Sequence, residues 1–332
     1  MDRIFMERAL LLAARGKERV SPNPAVGCVV VKNGKIIAEG YHKKFGDDHA
    51  EIVALKKLES DEARGATMYV TLEPCCHYGK TPPCVDGIIK RGIKNIVIAM
   101  KDPNPIVNAR SVRLLKKACI NVELGLCSEE ARALNEAYIK YITTGIPFVT
   151  LKIAMSLDGM ISKQRGKKTW LTSPVTDRFV HRLRAESDAI IVGKNTVMID
   201  NPHLGCRLVK GRDPLRVVLG DKKQIPGNYK IFRDDNVFFY TGRDLRALLR
   251  RLGKRSISTV LVEGGAEVFT SFVNSKLVDR IIVIFTPKLI GNPNSVPAFT
   301  DRIKNKIFVG KTSIKISGKD GVFTGAVSHE KP

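Results

Sequence analysis

The chain has 332 residues, of which 43% are hydrophobic, so it is long enough for two domains with separate cores. No apolar run reaches the length of a membrane span, and seven irregularly spaced cysteines do not indicate a disulfide framework. The N-terminal segment has mixed charges and no cleavage signal, so we expect no signal peptide and a soluble, cytoplasmic protein.

The formal net charge of +23 is unevenly distributed. Residues 148–332 carry 33 Lys and Arg against 16 Asp and Glu. Phosphorylated ligands favour a positive site but need only a few of these charges. The remainder indicates a solvated basic surface or a weak attraction for nucleic acid. We favour the basic surface and expect neither a nucleic-acid nor a membrane partner.

The first half of the chain alternates helices and strands. Asn33-Gly34 is a strong signal for a two-residue hairpin turn between two apolar segments. This alternation predicts a three-layer α/β fold with a five-stranded sheet. The predicted elements are a helix at 2–15, a hairpin at 26–42, a helix at 49–58, a strand at 67–72, a helix at 84–90, a strand at 95–100, a helix at 110–118, a strand at 120–124 and one long helix at 128–142.

A domain boundary is predicted at Gly145, which can adopt a left-handed helix cap, and Pro147, which blocks further helix. We therefore expect domains at 1–145 and 146–332. The second is predicted to be another α/β unit, with closing strands after residue 304. Its predicted strands lie at 148–155, 188–193, 215–220, 236–241, 259–265 and 280–290.

The segments HAEIVAL and TLEPCCHYGKTPPC predict a zinc site. One imidazole and two thiols, from His49, Cys75 and Cys84, can hold zinc and leave a fourth position for water. A His-x-Glu followed by Pro-Cys and a further Cys is typical of zinc-dependent nucleobase deaminases. Cys76 competes with Cys75, which we prefer because it directly follows Pro74.

Glu51 is the predicted catalytic residue. Zinc lowers the pKa of bound water to about 7, and a nearby carboxylate can carry a proton from that water to the leaving ammonia. A purely structural zinc site is the alternative, and the behaviour of a Glu51→Ala variant distinguishes the two.

Several further motifs extend the pattern: SPNPAVGCVVV, KDPNP, LKIAMSLDGMIS, TWLTS, LRAESDAIIVGKNTVMIDNPHL and TVLVEGGAEVFTSF. With the zinc motifs, they closely resemble the bifunctional deaminase/reductase family of riboflavin biosynthesis, over nearly the whole chain. The resemblance implies a cytidine-deaminase-like α/β/α domain followed by a dihydrofolate-reductase-like α/β domain. It implies Zn²⁺ and NADPH as cofactors.

The resemblance also implies the residues of the deaminase pocket. Asn23 and Asn104 lie in Pro-flanked turns, where a plain turn is the alternative to a pocket role. The implied substrate-binding residues of this domain are Asn23, His42, His77, Lys80 and Asn104.

A strand, a Gly264-Gly265 turn and a helix predict an anion site in the second domain, because helix N-termini attract phosphate. Asp158 is predicted either at the reacting centre or in a simple turn, and Trp170 either at the cofactor or in the core. The resemblance implies that the cofactor contacts Ala154, Trp170, Thr196, Asp200, Gly265, Ala266, Glu267, Val268, Phe269, Thr270 and Ser271. It implies that the substrate contacts Lys152, Lys168, Arg184, Leu204, Arg207 and Glu263.

The implied function is deamination of 2,5-diamino-6-ribosylamino-4(3H)-pyrimidinone 5′-phosphate, followed by NADPH reduction of the ribosyl group. The product would be 5-amino-6-(5-phosphoribitylamino)uracil. A nucleoside or tRNA deaminase with a basic RNA-binding second domain is the alternative, and a homo-oligomer remains open.

Overall fold

The computed structural model describes residues 2–78, 82–107, 109–300, 303–304 and 307–328. The chain forms two compact units, Met1–Gly145 and Ile146–Pro332. Gly145 ends the last helix of the first unit in a left-handed conformation, with φ 68°. None of the helices in the described residues combines the length and the hydropathy needed to cross a bilayer.

The first unit is a mixed sheet of five strands between helices. The strand order is β2-β1-β3-β4-β5, with β1 antiparallel to both neighbours and β3, β4 and β5 parallel. The elements are α1 (Asp2–Ala14), β1 (Gly27–Lys32), β2 (Lys35–Tyr41), α2 (Ala50–Leu55), β3 (Thr67–Val70), α3 (Cys84–Lys90), β4 (Asn95–Ile98), α4 (Arg110–Lys117), β5 (Asn121–Leu124), α5 (Ser128–Leu134) and α6 (Glu136–Thr144).

Two glycines let helices pack directly on the two faces of this sheet. A Cβ on Gly27 would lie 2.0 Å from the Ala9 carbonyl oxygen of α1. A Cβ on Gly40 would lie 2.2 Å from the Ala50 carbonyl oxygen of α2. Gly40 pairs with Cys28, the neighbour of Gly27, so the two glycines face opposite sides of the sheet. The predicted three-layer arrangement is therefore confirmed, as is the hairpin with positive φ at Asn33 and Gly34.

The predicted single helix at 128–142 is wrong, because the chain breaks at Asn135 into α5 and α6. The buried Asn135 side chain hydrogen-bonds the backbone of Ala25, in the segment before β1. Its Oδ1 accepts from the Ala25 amide at 2.8 Å, and its Nδ2 donates to the Ala25 carbonyl at 3.0 Å. This pair of bonds ties the loop before β1 to the C-terminal helices of the unit.

The second unit contains one eight-stranded sheet in the order β10-β9-β8-β11-β6-β12-β15-β14. The first six strands are parallel, and the predicted closing strands β14 and β15 are antiparallel. A small β7–β13 pair lies apart from this sheet. The elements are β6 (Phe148–Ser156), β7 (Met160–Ser162), α7 (Pro174–Ala185), β8 (Ala189–Gly193), α8 (Lys194–Asp200), β9 (Leu215–Leu219), β10 (Val237–Tyr240), α9 (Leu245–Gly253), β11 (Thr259–Val262), α10 (Ala266–Asn274), β12 (Arg280–Thr286), β13 (Val296–Pro297), β14 (Phe308–Ser317) and β15 (Asp320–Ser328).

The Asn135→Ala variant tests the bridge to Ala25. We expect a loss of about 2–3 kcal/mol in the free energy of unfolding of the first unit, because the Ala25 amide and carbonyl lose their partner in a buried place. Urea unfolding followed by circular dichroism measures it. Asn121→Ala, which removes an exposed bond to Asn95, is the control and should cost less than about 0.5 kcal/mol. Equal losses in the two variants would contradict a special role for Asn135.

Candidate active sites in two units

The predicted zinc ligands meet where three elements of the first unit begin or end. His49 is the N-cap residue of α2, Cys84 is the first residue of α3, and Cys75 follows β3. His49 Nδ1 lies 3.2 Å from Cys84 Sγ and 3.4 Å from Cys75 Sγ. In the described residues, this trio is the one group of His, Cys, Asp or Glu side chains arranged to hold a metal.

The spacing of these atoms fits a zinc ion. Tetrahedral zinc with bonds of about 2.0–2.1 Å to nitrogen and 2.3 Å to sulfur places a nitrogen and a sulfur ligand about 3.5 Å apart. The hydrogen bond from the Cys84 thiol, with a smaller contribution from His49, lowers the pKa of Cys75 to about 4, so this sulfur is readily available as thiolate. Cys76 instead packs beside the hydrophobic core of the unit.

Glu51 lies beside the trio in a cavity of ≈370 Å³. The side chain is 3% exposed, and its Oε2 has no hydrogen-bond partner among the described residues. Burial raises the pKa of Glu51 to about 7. A carboxyl group with a free oxygen facing the cavity is suited to accepting and returning a proton.

The same cavity brings together most of the predicted pocket residues. Asn23, His42, His77 and Asn104 line it, whereas Lys80 lies outside the described residues. The His42 ring is fixed at both nitrogens, because Nδ1 is 3.1 Å from the Asp48 carbonyl and Nε2 is 3.2 Å from Asn23 Nδ2. His42 Nδ1 therefore donates and Nε2 accepts, which orients the Asn23 amide.

The lining residues that escaped prediction include three polar ones that bind one another: Glu73, Asp102 and Tyr138. The Tyr138 hydroxyl donates to Asp102 Oδ1 at 2.8 Å, and Glu73 Oε2 accepts from the Asp102 amide at 3.3 Å. Glu73 and Asp102 belong to the TLEPC and KDPNP motifs, so an acidic residue inside each motif was the available signal. Tyr138 comes from a distant helix and carries no such signal.

The second unit has its own cavity of ≈1300 Å³ at the carboxyl ends of the parallel strands. Its volume exceeds that of a typical single-ligand pocket, so it can hold a dinucleotide together with a second molecule. The predicted residues that line it are Lys152, Ala154, Lys168, Trp170, Arg184, Thr196, Asp200, Leu204, Glu263, Gly265, Ala266, Glu267, Val268, Phe269 and Ser271.

A half-buried ion network lines this cavity. Arg184 donates from Nε to Glu263 Oε1 at 2.8 Å and from Nη2 to Oε2 at 3.0 Å, while Lys152 Nζ lies 3.4 Å from Oε2. Burial opposes ionisation of Glu263, but Arg184 and Lys152 outweigh it and lower its pKa to about 2. One carboxylate thus faces two cations, and the network has a surplus positive charge for an anionic ligand.

The opening turn of α10 faces the same cavity. A Cβ on Gly265 would be 3.7 Å from the Thr196 hydroxyl, so the backbone here is open to a ligand. Gly264 has a packing role instead, since a Cβ there would meet the Val268 side chain at 2.5 Å. An open helix N-terminus beside a hydroxyl suits a phosphate group.

Two predicted contact residues lie away from the lining. Thr270 is 5% exposed, and its Oγ1 accepts a hydrogen bond from the Thr300 amide. It faces away because successive residues of a helix point in different directions and cannot all face one cavity. Arg207 is solvent-exposed in the loop after Cys206. Trp170 is 70% exposed, which excludes the core alternative, and Lys168 Nζ lies 4.6 Å from the centre of its ring.

Asp158 adopts the turn alternative. Its carboxylate accepts from the Ile290 and Gly291 amides and from the Ser156 hydroxyl. The hydrogen bond from Ser156, followed by those from the two amides, lowers the pKa of Asp158 to about 2. Its role is to join two loops, and the interpretation of Asp158 as a reacting group is not supported.

Comparisons with known proteins agree with these two sites. Residues 1–100 match the cytidine and deoxycytidylate deaminase zinc-binding region, and residues 147–320 match the RibD C-terminal domain. The chain therefore combines a zinc-dependent deaminase unit with a reductase unit.

Full-length relatives show the same combination. The riboflavin biosynthesis protein RibD of Aquifex aeolicus is 39% identical, over 96% of this chain and 97% of that protein. Among solved structures, RibD of Acinetobacter baumannii has a TM-score of 0.90 at 33% identity, covering 98% of this chain and 99% of that one. A diaminohydroxyphosphoribosylaminopyrimidine deaminase/5-amino-6-(5-phosphoribosylamino)uracil reductase of Thermotoga maritima has a TM-score of 0.88 at 38% identity, covering 98% of each chain. The chain belongs to the RibD family.

This membership confirms the resemblance drawn from the motifs, the two fold classes and the cofactors Zn²⁺ and NADPH. The alternative of an RNA-binding second domain is wrong, because that half matches the reductase domain of the family.

The Cys75→Ala and Cys84→Ala variants should lose bound zinc, because each removes one of three protein ligands. Elemental analysis of the purified protein measures the loss. Cys76→Ala is the matched control and should keep about one zinc per chain, as expected for a single tetrahedral site. Loss of zinc in Cys76→Ala with retention in Cys75→Ala would reverse the assignment.

Proposed function

We propose that the two units catalyse consecutive steps of riboflavin biosynthesis in the cytoplasm. Residues 1–145 deaminate 2,5-diamino-6-ribosylamino-4(3H)-pyrimidinone 5′-phosphate. Residues 146–332 reduce the ribosyl group of the deaminated product to give 5-amino-6-(5-phosphoribitylamino)uracil. The observation that carries the first assignment is the buried, unpartnered oxygen of Glu51 beside the His49, Cys75 and Cys84 trio.

In the deaminase unit, His49, Cys75 and Cys84 would hold zinc, and the chemistry that the ion would supply is a lowered pKa for a water molecule. Glu51 takes a proton at its free Oε2 from the water whose oxygen replaces the amino group on the ring carbon, and it passes that proton to the amino group, which leaves as ammonia. Its burial keeps bulk water from competing for that proton. Asn23, oriented by His42, reads the polar edge of the pyrimidine, and Asn104 contacts it from the opposite turn.

In the reductase unit, the chemistry that bound NADPH would supply is the hydride that reduces the sugar. The chain's residues bind and orient the two molecules. The open turn at Gly265, with the Thr196 hydroxyl, holds cofactor phosphate, and Trp170 covers the cofactor from the cavity edge. Arg184 and Lys152 bind the ribosyl phosphate substrate, while Glu263 keeps both cations in place before it arrives.

The Glu51→Gln variant keeps the shape of the side chain but removes the proton acceptor. We expect ammonia release to fall by about 10²–10⁴-fold, the usual contribution of a positioned general base. Zinc content and NADPH oxidation with pre-deaminated substrate serve as internal controls and should not change. Full ammonia release by Glu51→Gln would reject Glu51 as the proton carrier.

The order of the two reactions is tested with the diaminopyrimidine ribotide, with and without NADPH. We expect ammonia release in both cases and NADPH oxidation only after deamination, because the reductase acts on the deaminated product. Ammonia production and the loss of NADPH absorbance measure the two steps. Ammonia release without any NADPH oxidation would leave a deaminase alone.

A further inference from the structure

The loop at 201–207 forms one wall of the reductase cavity in an unfavourable conformation. Leu204 belongs to the cavity wall, but it is only 3% exposed and packs in the hydrophobic cluster that contains Ile190 and Val192. Its φ is 57°. Bulky L-residues rarely adopt such a φ, so surrounding contacts must hold the backbone there.

On the cavity side, the loop is held by Arg184. Its Nη1 donates to the Gly205 carbonyl at 3.3 Å, while its other nitrogens bind Glu263. The position of this loop is therefore linked to that of a predicted substrate-binding guanidinium.

Two charged residues outside the cavity lining form hydrogen bonds with the backbone of the same loop. Asp213 Oδ1 accepts from the Cys206 amide at 2.9 Å and from its thiol at 3.3 Å. Asp213 Oδ2 accepts from Arg233 Nη2 at 2.7 Å, and Arg233 Nη1 donates to the His203 carbonyl. Asp213 and Arg233, here called the loop clamp, thus bind the backbone on both sides of Leu204.

The clamp packs directly on the loop. A Cβ on Gly205 would lie 2.6 Å and 2.7 Å from the two Asp213 carboxylate oxygens. The carboxylate occupies the space that a side chain would need, so a shift of Asp213 moves the peptide at Gly205 as well.

We propose that Asp213 and Arg233 are positioning residues for the reductase substrate. The loop clamp holds the backbone of residues 203–206 in the cavity wall and presents the Gly205 carbonyl to Arg184, whose guanidinium is then aimed at the substrate. The proposal rests on the proposed reductase function and adds two residues that act through the loop rather than by contact. The cofactor turn at Gly265 lies between β11 and α10, outside the loop that the clamp binds.

The experiment measures steady-state kinetics of NADPH oxidation in the full chain for Asp213→Ala, Arg233→Ala and the double variant. We expect the KM for the deaminated ribotide to rise about tenfold, since a small displacement of a binding group has effects of this size or larger. The kcat should stay within about threefold and the KM for NADPH should not change. The double variant should resemble the single variants, because both residues act in one unit.

Arg233→Lys keeps the ion pair but gives up the second bond, so it should recover part of the lost affinity. Asp235→Asn, which removes an exposed carboxylate two residues from Arg233, is the matched control and should behave like the unmodified chain. Ammonia release by the same chain checks that each variant is intact in the first unit. If an alanine variant does not fold, the KM for the ribotide is compared between Arg233→Lys, the mildest change, and the unmodified chain.

An unchanged KM for the ribotide, or an equal rise in the KM for NADPH, would overturn the clamp. Calorimetric titration with the ribityl product gives the same comparison without turnover. If the unmodified chain does not oxidise NADPH, the proposed reduction is wrong. If all variants bind the product with equal affinity, the proposed role of the loop clamp is wrong.

Discussion

The convergence of one imidazole and two thiols is the constraint on which the first unit depends. His49 precedes a helix, Cys84 begins one, and Cys75 ends the segment after a central strand. Their ligand atoms lie close together only if the sheet register and both helices are correct. Gly27 and Gly40 serve this placement indirectly, since they let α1 and α2 lie against the sheet. The geometry of the metal site in this unit therefore depends on the packing of its helices against the sheet.

The second unit is subject to a different, electrostatic constraint. It must hold positive charge ready for phosphorylated ligands without leaving half-buried cations unpaired, which would be costly. Glu263 meets this need by pairing with Arg184 and Lys152 from two other elements. The carboxylate stabilises the cations before substrate arrives and still leaves a net positive site.

The metal site could be predicted from sequence because its signals are local. His49 and Glu51 are two residues apart, and Pro74 marks the first thiol. The break at Asn135 could not be predicted, because its cause is a bond to Ala25, 110 positions away in the chain. Thr270 illustrates the same limit: a motif gives a run of residues, but the helical turn decides which of them face the ligand. Asp213 and Arg233 carried no pattern at all, since the loop they bind becomes visible only in three dimensions.

Trp170, the single tryptophan of the chain, stands largely exposed at the edge of the reductase cavity. Reduced nicotinamide absorbs light in the range where indole emits. The tryptophan fluorescence of the unlabelled protein should therefore report on occupation of the reductase cavity without any added label.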